Sequence, residues 1–428
     1  MAILEPVYKW RRISPVRFAR SKNPIPAGKA WFAPDLDDRG HTAPYPGPVV
    51  GVVRGDTVVM ALVREVLDPG APLWVSSEDT SKLTIEAPAS PFQLPAGKRI
   101  DIRLKAGTTD GNVKVRIHAQ AAGGPIIGEL TVLVTQLQTV RCAVHRTALY
   151  TAPATRSASN TTSRSFADIE TLVTEVNRQW RPCGVRFQID TKLDNSNLTN
   201  QATINSIAPS DGVLLCPVFG TGAANTNFDL LMGVNKQASR INIYFVHGIS
   251  SATTVNPPSY IGFGSSYHKG LVVSDTNDTI EYQGHVLSHE LGHILGIASM
   301  GHASTSDSHS DDDPQFNLEV RQRRHDLWSR RRLMYYMVGL DAEDRNGAAV
   351  AAVPAVPASG TTPAVAAIPA RPEGRYKRVL DTDYEFDGTN TGYGAGASGH
   401  LLTIKKLTND STDGEYNDAR KNAAKLFP

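Results

Sequence analysis

Residues 289–296 read HELGHILG, and this stretch decides which fold we expect for the second half of the chain. On a helix, side chains four positions apart lie on one face, so His289 and His293 can point two imidazoles at one metal ion. Glu290 lies beside that ion without having to bind it. Two histidine ligands and a carboxylate base are what a zinc hydrolase needs. A buried helix with two hydrogen-bonded histidines is the alternative interpretation.

The residues ahead of this stretch alternate between helix and strand patterns. Ser165 and Asp168 resemble a capping box, and apolar residues behind them recur at helical spacing as far as Trp180. A second helix is expected from about 280 to 296. Strand-like runs are found at 140–144, 185–189, 213–216, 241–246 and 271–273. This β-α-β-β-β-α order predicts a mixed sheet with its chemistry on the last helix.

Residues 138–340 resemble the metzincin zinc endopeptidases, whose consensus is HExxHxxGxxH followed by a Met-turn. The residues that match the consensus are His289, Glu290, His293 and Gly296. The run LMYY at 333–336 looks like the Met-turn, with the Met-x-Tyr spacing of some members. The resemblance implies a Zn²⁺ cofactor, Met334 in the turn, and Tyr336 as a ligand at rest or a donor to the oxyanion. It also implies a protein or peptide substrate bound extended along an edge strand within 260–273.

One position departs from the consensus. The third ligand would fall at residue 299, which is Ser299, and serine is not a normal zinc ligand. We expect His302 to replace it, because Gly296 can end the helix in a left-handed conformation and turn the chain back toward the metal. A solvated loop histidine is the alternative interpretation of His302. Weaker candidates for the third ligand are Asp307, His309, Asp311 and His325. His285, four residues before His289, is expected to pack and not to bind metal.

The N-terminal third predicts a separate β module. Residues 1–45 are rich in Pro, Arg and aromatic residues without periodicity, and are expected to form an extended arm. From 46 to 137, short apolar runs alternate with turn signals, which predicts an immunoglobulin-like β-sandwich with an accessory role. The expected fold class is therefore α+β: an N-terminal β-sandwich followed by a metzincin-like zincin domain with a mixed sheet and an active-site helix.

The C-terminal part continues that domain. Ala, Pro and Val dominate residues 348–371, so we expect a surface insertion at about 345–372. Residues 413–426 have helical character, with Ala419 and Ala423 roughly on one side. The catalytic domain is thus expected to span 138–428.

Composition excludes several classes of protein. The net charge of +2 gives no electrostatic case for nucleic-acid binding, and three cysteines cannot form a disulfide framework. No apolar run is long enough for a membrane span, and the first residues lack the apolar core of a signal peptide. We expect a protein made soluble, either cytoplasmic or exported by a leaderless route.

The resulting hypothesis is a zinc-dependent endopeptidase in which Glu290 is the general base. An exported effector or toxin, docked to a delivery partner through the first 137 residues, is one version of it. The alternative is a non-catalytic binding or structural protein with a degenerate metal site. In that case the sandwich carries the interaction, and Ser299 is the residue that supports this alternative.

Overall fold

The computed structural model describes residues 16–21, 23, 25–34, 36, 47–64, 72–94, 99–150, 156–195, 212–215, 226–250, 262–265, 269–275, 280–297, 376–378, 384–386 and 415–426. This part of the chain is α+β, with more strands than helices. Two regions can be distinguished. We call the strands between residues 16 and 135 the sandwich, and residues 138–297 together with the helix at 415–426 the mixed-sheet region.

Two sheets face each other in the sandwich. The first contains β1 (Val16–Arg20), β2 (Trp31–Phe32), β4 (Thr57–Arg64), β6 (Leu83–Ala87) and β7 (Arg99–Ala106), in the order β1-β4-β7-β6 with β2 beside β4. The second contains β3 (Val49–Val53), β5 (Leu73–Ser77), β8 (Gly111–Ala119) and β9 (Ile126–Thr135), in the order β3-β9-β8-β5. Apolar side chains from both sheets form one core. In β8, for example, buried residues alternate with partly exposed ones, as the period of a half-buried strand requires.

The expected arm at 1–45 differs from the structure. Val16–Arg20 pairs antiparallel with β4, and Trp31–Phe32 pairs parallel with the start of the same strand. Val16 and Phe18 are buried while Arg17 between them is exposed. This alternation is a strand pattern, but five residues between Pro- and Arg-rich segments are too short to stand out in the sequence.

A five-stranded sheet organises the mixed-sheet region. Its strands are β10 (Gln138–Arg146), β11 (Val185–Asp194), β13 (Ile241–Val246), β15 (Gly262–Ser265) and β16 (Gly270–Ser274), in the order β11-β10-β13-β16-β15. The first four in this order run parallel, whereas β15 at the edge is antiparallel to β16. The strands predicted at 241–246 and 271–273 are β13 and β16 of this sheet, whereas the strand predicted at 213–216 is described at Val213–Leu215 and belongs to a separate two-stranded sheet. The predicted mixed sheet is therefore present in the described residues.

Two helices, α1 (Phe166–Trp180) and α3 (Ile280–Ile294), pack against each other, and their apolar side chains share one core with those of this sheet. The predicted capping box at the start of α1 is confirmed, because Ser165 Oγ accepts from the amide of Asp168 and the Asp168 carboxylate accepts from the amide of Ser165. After Trp180 a 3₁₀ turn, Arg181–Cys183, ends at Gly184, which has φ 71°. Val185–Asp194 then forms the neighbouring strand.

Smaller elements complete the described chain. β12 (Val213–Leu215) pairs with β14 (Gly248–Ser250) and packs with α2 (Thr226–Gly233) around a separate cluster of buried apolar residues. β17 (Tyr376–Arg378) and β18 (Tyr384–Phe386) form an antiparallel pair. The predicted insertion at 345–372 lies outside the described residues. Among the described helices, none combines the length and the apolar character needed to cross a membrane.

The helix predicted near the C-terminal end is α4 (Glu415–Leu426), and it belongs to the mixed-sheet region. Ala419 and Ala423 are buried in the same core as α1 and α3. The guanidinium of Arg420 donates to the carbonyl oxygens of Gln136, Cys183 and Gly184, at 3.0–3.2 Å. α4 therefore closes the side of the domain where the chain leaves the sandwich.

The two regions share a built interface. The Arg181 guanidinium donates to both oxygens of Asp56, at 2.6 and 2.7 Å, and lies over the ring of Phe32. Val49 and Leu133 of the sandwich are buried in the core of the mixed-sheet region. The sandwich and the mixed-sheet region are therefore joined by a packed interface that contains both apolar and ionic contacts.

Candidate metal centre

The position of α3 follows from its apolar residues. Val286, Leu287, Leu291 and Ile294 are buried in the common core. Gly284 lets the helix approach α1 closely, since a Cβ built there would lie 2.5 Å from Cγ of Glu175. These contacts fix the helix on two sides and leave its remaining face to the polar residues of the motif.

His289 and His293 lie on that face, one turn apart, as the helix spacing predicted. Their ring centroids are 4.9 Å apart, and the rings are nearly perpendicular, at 87°. His289 is 5% exposed and His293 is half-buried. Two imidazoles held this close on one helix face can contribute two ligands to one metal ion.

The end of α3 fixes the tautomer of His293. Gly296 has φ 77°, which confirms the predicted left-handed turn. The amide of Ile297 donates to Gly292 O and the amide of Gly296 to His293 O, both at 3.0 Å, which is a Schellman cap. This turn brings Ile297 O to 3.0 Å from Nδ1 of His293. Because a carbonyl only accepts, Nδ1 donates in this bond, so in the neutral imidazole Nε2 is the nitrogen that carries the lone pair.

Burial also favours the neutral form of the His293 imidazole. Removal from water lowers the pKa of His293, against the smaller opposing effect of its hydrogen bond to Ile297. The neutral imidazole is the form that binds metal. The surroundings of His293 therefore favour the ligand state over the imidazolium.

Glu290 lies against the edge strand β15. It is 8% exposed, and a Cβ built on Gly262 would lie 2.8 Å from its Cγ and 3.0 Å from Oε1. The carboxylate thus lies between α3 and the strand that we expect to receive substrate. His285, one turn before His289, is fully buried, as a packing residue would be.

These residues fit half of a zinc site together with its base. His289 and His293 supply nitrogen ligands, and Glu290 is a carboxylate beside them. Within the described ranges, no group of three His, Cys, Asp or Glu side chains could hold a metal ion. His302, Met334 and Tyr336 lie outside those ranges, and so do the weaker candidates Asp307, His309, Asp311 and His325. A third protein ligand, which a zinc site would need, is therefore not among the described residues.

Sequence reasoning missed two features around the site. The first is the contact of Gly262 with Glu290. The second is a buried network in which Arg164 donates to Asp275 Oδ1 at 2.8 Å and to Gln283 Oε1 at 3.1 Å. This network ties the loop before α1 to the end of β16 and to the first turns of α3. A basic residue just ahead of a helix cap was the only signal, and it does not identify a partner 111 residues away.

Comparison with known proteins assigns no family to the chain. No family model matches it, and no curated protein matches it. Among solved structures, an S-layer protein matches with 16% identity and a TM-score of 0.16 over 20% of this chain and 11% of its own. A Bacteroides ovatus GH5 xyloglucanase matches with 9% identity and a TM-score of 0.16, over 46% and 44% of the two chains. A carbohydrate acetylesterase from Xanthomonas citri matches with 11% identity and a TM-score of 0.16, over 61% and 60%. The chain thus spans less than two thirds of these structures, and likenesses this weak carry no argument about its fold or activity.

Proposed function

We propose that this chain is a zinc-dependent endopeptidase of metzincin-like type. The observation that carries the proposal is the pair His289 and His293 on one face of α3, with Nδ1 of His293 held by Ile297 O and a buried Glu290 beside them. A structural pair of buried histidines would not need a buried carboxylate beside it.

The residues divide the work as follows. A zinc ion held by His289, His293 and, we propose, His302 would supply Lewis acidity and lower the pKa of water. Glu290 takes the proton from the attacking water and returns it to the leaving amine. Tyr336 would donate a hydrogen bond to the oxyanion, and Met334 would form the turn that supports the site.

The sheet offers a surface for an extended substrate. β15 pairs with β16 on one side, and within the described residues no strand pairs with its other side. A peptide could add to that edge through main-chain hydrogen bonds, next to Glu290 on the adjacent helix. The substrate would then be an extended protein segment, not a compact one.

The sandwich is proposed to be an accessory module. Its strand order, β1-β4-β7-β6 facing β5-β8-β9, resembles the ABED and CFG sheets of immunoglobulin-like domains, with β3 added as a parallel strand beside β9. It would serve as the docking part if the protein is an exported effector. No described residue of the sandwich belongs to the candidate site.

Zinc content and peptide hydrolysis test the proposal. Protein purified without added metal should contain close to one zinc per chain, and Glu290→Ala should keep the metal but lose hydrolysis of an unfolded protein substrate. His289→Ala should lose both. The matched control is His118→Ala, a buried histidine of the sandwich bonded to Ser76 and Gly124 O, which should change neither zinc content nor hydrolysis.

A second set of variants tests the third ligand. His302→Ala should lower zinc affinity strongly, whereas His309→Ala and His325→Ala should leave it unchanged. A wild-type chain without zinc would favour the alternative, a binding protein with a degenerate site, for which Ser299 is the supporting residue.

A further inference from the structure

The Glu290 side chain lies against Gly262, a residue without a side chain. A Cβ built on Gly262 would lie 2.8 Å from Cγ of Glu290, 3.2 Å from Cδ and 3.0 Å from Oε1. Carbon atoms in van der Waals contact are about 3.5–4.0 Å apart, so none of these distances leaves room for a methyl group. The bare backbone of β15 therefore lies directly against the carboxylate arm of Glu290.

Neither backbone can easily move to make room. Gly262 is paired with Val273 of β16, and this ladder continues to Ser265. On the other side, α3 is packed against α1 and capped at Gly296. The flexible part of the contact is the Glu290 side chain itself. A methyl group at position 262 would thus displace the carboxylate and leave the helix and the strand in place.

We propose that Gly262 is a positioning residue for Glu290, a role that rests on the proposed function. The missing Cβ lets the edge strand serve as a wall that holds the carboxylate between the histidine face of α3 and the edge that receives substrate. Glycine weakens a strand, and it often marks a place where another group approaches the backbone closely.

Gly262→Ala tests the proposal against Gly233→Ala. Gly233 also has ordinary backbone geometry, but a Cβ built there meets nothing within 4 Å, so this variant controls for the glycine-to-alanine change itself. We expect Gly262→Ala to lower kcat roughly a hundredfold, since a displacement of about 1 Å at a reacting group has that effect. KM and zinc content should stay at the wild-type values. Gly233→Ala should match the wild type in all three.

A double-mutant cycle supplies a readout that needs no activity. Glu290→Ala removes the three atoms that the new methyl group would meet. Gly262→Ala should therefore lower the melting temperature in the wild-type background and have no effect in the Glu290→Ala background. If Gly262→Ala alone is insoluble, the Glu290→Ala background must restore solubility.

The outcomes separate the two proposals. An active wild type whose Gly262→Ala variant keeps full kcat overturns the positioning role and leaves the endopeptidase proposal intact. Equal melting-temperature losses in both backgrounds also overturn it. A zinc-loaded wild type without hydrolytic activity overturns the endopeptidase proposal and the positioning role together.

Discussion

The sandwich and the mixed-sheet region use buried polar groups very differently. Of the twenty buried polar or charged side chains in the described chain, five lie in the sandwich and fifteen in the mixed-sheet region. Each of these groups costs free energy to bury unless it is hydrogen-bonded. The mixed-sheet region therefore depends more than the sandwich does on hydrogen bonds to its buried polar side chains.

Ion pairs show the same contrast. In the sandwich, Arg116 and Lys114 pair with Glu129 on a partly exposed sheet face. In the mixed-sheet region, Arg164 and Asp275 pair with their side chains only 6% and 13% exposed. Surface ion pairs contribute little to stability, whereas removal of one partner from a buried ion pair strongly destabilises the fold.

Removal of the sandwich should have the largest effect. A fragment that begins at residue 138 loses Val49 and Leu133 from its core and leaves Arg181 without Asp56. Together these losses amount to several kcal/mol, a large part of the stability of an ordinary domain. We expect an insoluble or unfolded fragment, measured by circular dichroism. A soluble fragment with an unchanged melting temperature would show that the two regions are independent.

Loss of the buried ion pair should be next in size. Asp275→Ala leaves the Arg164 guanidinium buried without its carboxylate, and we expect the free energy of unfolding to fall by about 3–5 kcal/mol in urea titrations. Glu170→Gln, at the exposed pair between α1 and Lys192, is the control and should cost less than about 1 kcal/mol. Equal effects of the two variants would contradict the contrast between the regions.

Below pH 6.5, His145 of the mixed-sheet region should make stability depend on pH. Burial lowers the pKa of His145 to about 4, against hydrogen bonds to Asn242 and Asn195 that raise it. The unfolded chain, with a pKa near 6.5, binds the proton first, so stability should be constant above about pH 6.5. Between pH 6.5 and 4 it should fall by about 1.4 kcal/mol per pH unit for this group.

His145→Gln isolates that contribution. We expect urea titrations at several pH values to show a smaller loss of stability below pH 6.5 in this variant than in the wild type. Leu62→Ala in the sandwich core should lower stability by about 2–5 kcal/mol at every pH and leave the slope unchanged. An unchanged slope in His145→Gln would mean that other groups cause the acid sensitivity.

The smallest effect is expected at the start of α1. Ser165→Ala removes the hydrogen bond that Oγ accepts from the Asp168 amide and the one that Oγ donates to the Asp168 carboxylate, and should cost about 1 kcal/mol. Thr171→Ala, at an exposed position of the same helix, should change stability by less than about 0.5 kcal/mol. Thermal unfolding of the two variants side by side measures the difference.

Local features of the fold could be predicted from the sequence. The capping box at Ser165, the face shared by His289 and His293, and the left-handed Gly296 all depend on residues within one or two turns of each other. Periodicity and cap chemistry report such features directly. The short strand at Val16 was missed because five residues give too weak a periodic signal.

Features that depend on distant residues could not be predicted. The strand order of the mixed sheet places Asp275 beside Arg164 and Gly262 beside Glu290, and nothing in the local pattern links these pairs. The packing of Val49 into the core of the mixed-sheet region likewise joins residues that are far apart in the sequence. His302, Met334 and Tyr336 remain predictions, because their positions lie outside the described residues.

The cap on α3 has a consequence for the order in which the protein is made. The Asn422 side chain donates to Leu295 O at 2.7 Å, across 127 residues of sequence. At a synthesis rate of about 5–20 residues per second, roughly 6–25 s pass between these two residues on the ribosome. The histidine helix is therefore translated well before the helix that braces its end, and a nascent chain stopped ahead of residue 415 would carry the motif without that brace.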